Sequence, residues 1–560
     1  MTQVIAPPVP SAPVAARRRN PLPWWLLLGC AAQVLLRLWL ARARTGTAAD
    51  PDETGYLAAA RWLAGGPGAD LSHNTFYQAG YPLLLAPLHW FSHDPATVYT
   101  GAIAVNALAG AALFPLGYAA LRRFEVGCRT ALALAFAAAL LPATTFFGLF
   151  ALTDAILPAL LLGWLLLLDR FVRTGRAADG AAASLVAAYA CFTHSRGEVV
   201  LGVHVLALLA TRRRAMWAGL LAAAGGYLAT SAVNDALRKA LYPDGVRDMA
   251  GLLHERLLSA SGQAWSVSGM LGQVWYLIVG TWGLAGIGLA AAFAALGRRE
   301  TRLMAGVLLV TTFGVAYASE AALADEHRVG NFAYGRYLAC LALVYVLIAL
   351  AVLFRATARD ALRAAAVGGL IAAGTGGVVL VYAGARLRTH QFIGFDFPET
   401  MFLTQDRTGL RLGLATFAAF GLLAALLAVR WLGGARTVAV ALATVNVAAM
   451  VWLAGDGGRV RPASPLPAAS ERGGVVTDYG VHWMARTKLV VPVWWTRIGW
   501  IDARHQGAPR GVCTVVVRRG SSTTALDRTW PHRPAGWLPR EGGDGMGRWV
   551  AWYDPRCGTS

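Results

Sequence analysis

The feature that most constrains this chain is a series of continuous apolar runs. Residues 21–40, 131–150, 156–168 and 337–354 are mostly or wholly apolar. About 20 apolar residues, at 1.5 Å of rise each, cross a hydrocarbon core of roughly 30 Å. In that core every backbone amide must be satisfied within its own segment, which leaves helices or a closed barrel. The runs are rich in Leu and Ala and lack the alternation of barrel strands, so they read as helices. Only 14% of residues are charged, against about a quarter in soluble domains. The fold class expected is an all-α polytopic membrane protein.

A net charge of +20 invites a nucleic-acid reading. The arginines argue against it, because they sit in short loops between apolar segments and not on one soluble face. Gathered at alternate loops, they follow the positive-inside rule. Basic loops at 122–129, 170–176, 212–214, 298–302, 355–363 and 430–436 mark the cytoplasmic side. Spans are placed near 22–40, 97–120, 130–148, 155–169, 180–194, 198–211, 215–235, 272–296, 303–320, 337–354, 364–384, 409–429 and 436–454, about thirteen in all. This puts the N-terminus in the cytoplasm and the C-terminus outside. The first span reads as an uncleaved anchor in the plasma (inner) membrane, its apolar stretch being long for a signal peptide. Asp50, Asp52, Glu53, Asp154, Glu198, Asp325, Glu326, Asp396 and Glu399 all fall outside, a check independent of the arginines.

Three regions follow. Residues 1–21, Pro- and Ala-rich and containing Arg17, Arg18 and Arg19, are expected to be a disordered cytoplasmic segment. Residues 22–454 form the transmembrane domain, whose first external loop is 41–96. In that loop 53–64 is expected to lie in the membrane interface with Tyr56, Leu57 and Trp62 toward lipid, and 81–91 to be a second interfacial or re-entrant helix. Residues 455–560 drop in hydrophobicity, and 475–476, 489–493 and 512–517 read as strands. They are expected to form a small extracytoplasmic α/β or β-rich domain. Trp494, Trp495 and Trp500 there could stack on sugar rings, although core packing is the plainer role. Cys513 and Cys557 in the same tail would pair in an oxidising compartment or else remain free thiols.

Four clusters could carry chemistry. Asp50, Asp52 and Glu53, with Tyr56, follow the first span. Carboxylates so close repel, which raises at least one pKa and suits a general base; the plain alternative is an acidic helix N-terminus. Asp154 sits in a tight turn between two spans, where it could be only an N-cap. His194, Arg196 and Glu198 lie between two further spans; Arg196 could pair with Glu198 or clamp a phosphate. Arg328 and then Tyr334, Arg336 and Tyr337 precede another span, at headgroup depth, where aromatic residues anchor and a lipid-linked phosphate would lie. His73, His89, His93, His194 and His327 show no recognisable ligand spacing. No metal ligand is assigned and no cofactor is required, with a divalent metal left open.

In this order the motifs resemble the GT-C superfamily of polyprenyl-phosphate-sugar-dependent glycosyltransferases, nearest the protein mannosyltransferase and aminoarabinose transferase group. Asp52-Glu53 with Tyr56, Thr153-Asp154, Arg196-Gly197-Glu198 and Tyr334-Gly335-Arg336-Tyr337 carry the likeness, which covers roughly 22–355. The resemblance implies a bacterial cell-envelope glycosyltransferase. Its donor would be a polyprenyl-phosphate-linked sugar and its acceptor an extracytoplasmic protein, lipid or glycan. Asp52 would be the base with Glu53 its alternate, and Asp154 would position substrate. Arg196, Arg336, Tyr337, His194 and Arg328 would hold the donor phosphate, and Asp50, Tyr56 and Glu198 would contact acceptor or sugar. The 455–560 tail has no recognised counterpart.

Three other readings compete. A transporter or flippase of lipid-linked precursors would call for internal repeats and helices broken at the midplane, neither of which is evident. A related cell-wall glycan polymerase or ligase would use the same residues. A non-catalytic scaffold would leave the acid–arginine pattern unused.

Overall fold

The computed structural model describes residues 21–455, 466–467, 473–490, 498–520, 525–543 and 547–557. The expected disordered N-terminus, Trp494 and Trp495 lie outside them. The chain is a multi-pass helical membrane protein carrying a C-terminal mixed sheet. Among the described residues six helices are long and apolar enough to cross a membrane, or eight if two bent pairs each count as one span. Leu22–Ala41, Pro95–Arg123, Met216–Leu241, Arg302–Ala321 and Ala358–Ala383 are five of the six. The sixth, Leu412–Gly455, is interrupted at Gly434, inside the loop expected between the last two spans.

The bends correct two expected spans, 130–148 and 272–296. Cys128–Ala138 and Pro142–Leu149 meet at 65°. Pro142 has no amide hydrogen and its ring clashes with the preceding turn, so the helix cannot run through it. The freed Ala139 carbonyl accepts a hydrogen bond from Arg37 at 2.7 Å. That arginine is buried in the first span and is also held by Gln33. A cation inside a span is costly unless its donors are satisfied; here it caps a broken neighbour. The second pair, Ala260–Val279 and Leu284–Ala295, turns by 116° through Gly283, whose φ of 79° suits only glycine at low cost.

The helix Asp52–Leu63 does not lie on lipid as expected. Tyr56 and Leu57 are buried, and residues 53–61 all face protein. The terminal sheet has the order β2-β1-β3-β5-β4. Its strands are β1 Gly474–Asp478, β2 Ile498–Ile501, β3 Val512–Arg518, β4 Leu538–Gly542 and β5 Trp549–Tyr553. β2, β1 and β3 run parallel, while β5 pairs antiparallel with both β3 and β4. Side chains alternate between two faces. Val475, Val516 and Ala551 pack on Ala485 and Leu489, and Val515, Val517 and Val550 pack on Trp530 and Trp537. Leu489, expected to open a strand, ends the helix Trp483–Leu489. Cys513 and Cys557 form a disulfide.

Candidate active site

Glu53 builds the site without facing it. Its side chain is fully buried. One oxygen accepts from the backbone amides of Ala48 at 2.6 Å and Ala49 at 2.7 Å. The other accepts from Tyr99 Oη and the Ala151 amide, both at 2.7 Å. Burial pushes its carboxyl up, and these four donors oppose the shift. Glu53 therefore ties the loop after the first span to the turn Thr153–Ala155. A buried carboxylate engaged by four donors has a structural part here, whereas Asp52 beside it is partly exposed.

The tie brings Asp52 and Asp154 to one guanidinium. Arg336, in the single turn Gly335–Tyr337, donates from Nε to Asp154 Oδ2 at 2.9 Å and from Nη1 to Asp52 Oδ2 at 3.0 Å. Its Nη2 lies 2.8 Å from the same Asp154 oxygen. Arg196, at the start of Arg196–Thr211, donates from Nη2 to Asp154 Oδ1 at 2.8 Å. Burial alone would raise the Asp154 carboxyl, but Arg336 and Arg196 together hold it well below the usual carboxylate range. Arg196 is thus spent on Asp154 and not on the exposed Glu198.

The surrounding contacts fix this cluster. Arg196 Nη1 donates to the Tyr337 carbonyl at 3.3 Å and its guanidinium lies 5.2 Å from the Tyr337 ring. His194 Nδ1 accepts from the Arg196 amide at 3.1 Å. Burial and the Arg196 charge push the His194 imidazole far down, so it stays neutral and accepts. Tyr56 Oη lies 3.3 Å from Thr153 Oγ1, beside the acid turn. Arg328 sits one layer out, stacked 5.1 Å from the Tyr334 ring, whose hydroxyl accepts from Arg336 at 3.3 Å. Asp50 accepts from the Thr54 and Thr47 hydroxyls.

Two contributors escaped the sequence reading. Tyr77 donates to Asp52 Oδ1 at 3.3 Å. The loop Phe392–Glu399 places the Phe395 ring 5.6 Å from the Arg336 guanidinium. Its Asp396, 2% exposed, lies 3.7 Å from Arg328. Burial raises the Asp396 carboxyl to about 6 against the pull of Arg328 and Arg336. Acids flanked by aromatics in a short loop between spans were the available signal. Among the described residues no group of three or more His, Cys, Asp or Glu could hold a metal ion. Both acids of the site are instead engaged by arginine.

No family model and no curated protein matches the chain. Solved structures do. ArnT from Cupriavidus metallidurans, bound to undecaprenyl phosphate, aligns over 94% of this chain and 98% of its own, with 15% identity and a TM-score of 0.57. The apo form of the same protein aligns over 95% and 98%, again at 15% identity, with a TM-score of 0.56. At 94% coverage the shared fold continues beyond the 22–355 over which the sequence motifs carry their resemblance and into the terminal domain.

Proposed function

We propose that this chain is a membrane glycosyltransferase of the GT-C class, moving a sugar from a polyprenyl-phosphate carrier to an extracytoplasmic acceptor. The fold it shares with ArnT supports the class, and that structure's bound undecaprenyl phosphate supports the donor. The observation that carries the reading is a division of labour between two carboxylates on one arginine. The Asp154 side chain is 3% exposed and clasped by two guanidinium groups, whereas Asp52 is 33% exposed on the same Arg336. Asp154 is a fixed counter-charge that aims both arginines. Asp52 is the acid with room for a substrate.

The chemistry follows. A donor phosphate arriving at Arg336 competes with Asp52 for Nη1, releasing the carboxylate toward the acceptor. Asp52 takes the proton of the acceptor hydroxyl or amine as that atom attacks the anomeric carbon. The bond from that carbon to the phosphate oxygen breaks, and its electron pair leaves with polyprenyl phosphate. Arg336 and Arg196, already oriented by Asp154, stabilise that anion. Tyr337 and His194 hold Arg196 in place, and Arg328 adds positive charge behind Tyr334.

The site belongs on the extracytoplasmic face. Leu157–Thr174 begins beside Asp154 and ends in Arg173, so acids and basic loops occupy opposite ends of one helix, as positive-inside placement requires. On this reading 22–454 is the transmembrane domain and 455–560 an extracytoplasmic one. The shorter apolar helices Ala177–Thr193 and Ala339–Arg355 also cross, raising the span count toward that expected. The test gives protein in sealed vesicles a set of radiolabelled polyprenyl-phosphate sugars with cell-envelope acceptors. Label on acceptor, with release of polyprenyl phosphate, supports the reading. Intact donor moved across the vesicle without transfer refutes it in favour of a flippase.

A further inference from the structure

The helix Asp52–Leu63 borders a large cavity at its other end. Ten residues beyond Asp52, or ~15 Å at helical rise, Trp62 borders a cavity of about 1040 Å³. Its walls come from three places. One is the loop 66–73, another the segment 240–244, and the third is the terminal domain, with Tyr479 after β1, Arg486 on the helix Trp483–Leu489 and Trp500 on β2. The first two are laced together by backbone bonds, Leu71 to Leu241 at 2.7 Å and His73 to Gly245 at 2.9 Å. Buried Arg61 donates to the Pro67 carbonyl at 2.9 Å and to that of Val490 at 3.5 Å, pinning the loop to the sheet side. The cavity is a built feature of the fold.

Its lining has a definite chemistry. The Tyr479 and Trp500 rings are parallel, 3° apart with centroids at 5.2 Å, and Tyr479 is 68% exposed. Arg486 lies 4.0 Å from the Trp500 ring. Its buried Nε has no hydrogen-bond partner among the described residues, a donor held in reserve. Asp70 and Asp244 line the same space and partly offset the desolvation of Arg486. Two carboxylates against one guanidinium disfavour a phosphate or a polyanion. Trp500 is covered by Tyr479 and Arg486, so the exposed Tyr479 ring, backed by that stack, is the flat amphipathic face that accepts the C–H face of a pyranose or furanose. Carboxylates and a guanidinium on the rim match its hydroxyls as acceptors and donors.

We infer that this cavity binds a neutral saccharide chain, as a remote subsite for the acceptor. That the bound chain is an acceptor rests on the transferase reading; that the cavity binds saccharide does not.

The test measures binding of neutral hexasaccharides of mannose, glucose and arabinose, and of a Ser/Thr-rich peptide, to the full chain in nanodiscs by saturation-transfer NMR. At least one hexasaccharide should bind, and Tyr479→Ala and Asp244→Asn should each weaken it tenfold or more. Both variants should keep the wild-type melting temperature, Tyr479 being exposed. Asp52→Asn should bind the saccharide like wild type. The inference is overturned if no hexasaccharide binds, if both cavity variants bind undiminished, or if the peptide alone occupies the cavity. Saccharide binding by a protein that transfers no sugar would refute the transferase and leave the cavity assignment standing. Transfer without such binding would do the reverse.

Discussion

Asp52 Oδ2 lies 3.0 Å from Arg336 Nη1 while a third of the aspartate side chain stays open to solvent. The guanidinium is 8% exposed and turns its other edge to Asp154. One arginine therefore joins a part-exposed acid to a buried one, and on the proposed reading donor phosphate enters by displacing the exposed partner.

Arg336→Lys tests that geometry. A lysine keeps the charge but cannot span two carboxylates with a planar fork. Transfer kcat/KM should fall roughly 100-fold or more, in the range for losing an oriented donor to a developing anion. Steady-state kinetics with saturating acceptor would show it, and unchanged kinetics would mean that charge alone suffices.

Asp154→Asn should act first on stability. Arg196 and Arg336 would remain buried without their shared counter-charge, a loss of about 3–5 kcal/mol. A lower melting temperature in detergent is expected for this variant. Asp52→Asn, at the exposed end of the same cluster, should melt close to wild type.

Glu399 gives the fold a pH dependence. It is 1% exposed, and its Oε2 accepts from Tyr276 Oη at 2.6 Å. Burial raises it to about 7 from 4.5. Below pH 4.5 folded and unfolded forms are both protonated and the group costs nothing. Between 4.5 and 7 the unfolded chain ionises first, so stability falls with rising pH and levels off above 7. The size is about 2–4 kcal/mol. Glu399→Gln should remove this part of the slope in melting curves across that window; an unchanged slope would assign it to other groups.

Gly197 explains the middle of Arg196-Gly197-Glu198. A Cβ there would run into the backbone carbonyl of Ala190 on the preceding helix, and backbone cannot step aside. Gly197→Ala should force the two helices apart, costing about 1–3 kcal/mol, and should carry Arg196 away from Asp154. Reduced transfer together with a lowered melting temperature is expected, whereas a variant active like wild type would show that the helices tolerate the shift.

The membrane class was legible because apolar length is a local property, and Asp52, Asp154, Arg196 and Arg336 could be named because charged residues stand out in the short loops between apolar spans. What each acid does was not legible. Glu53 and Asp52 are neighbours in sequence, yet one is saturated by four donors and the other open, a difference set by Ala151 and Tyr99 from distant segments. Tyr56 and Leu57 looked lipid-facing because an amphipathic pattern does not say whether lipid or protein covers its apolar side. β2 and β4 were missed because they are short and interrupted by glycine or proline, and β5 because its pairing with β3 and β4 is non-local. Asp396 joins Arg328 through a loop whose position no spacing rule encodes.

The most direct measurement compares wild type and Asp52→Asn in two readouts on one preparation, transfer of radiolabelled sugar from polyprenyl phosphate and binding of the unreacted donor. The account predicts that the variant binds donor at least as well, since Arg336 is freed, and transfers about 100- to 10,000-fold more slowly. Wild-type transfer rates in the variant would contradict it.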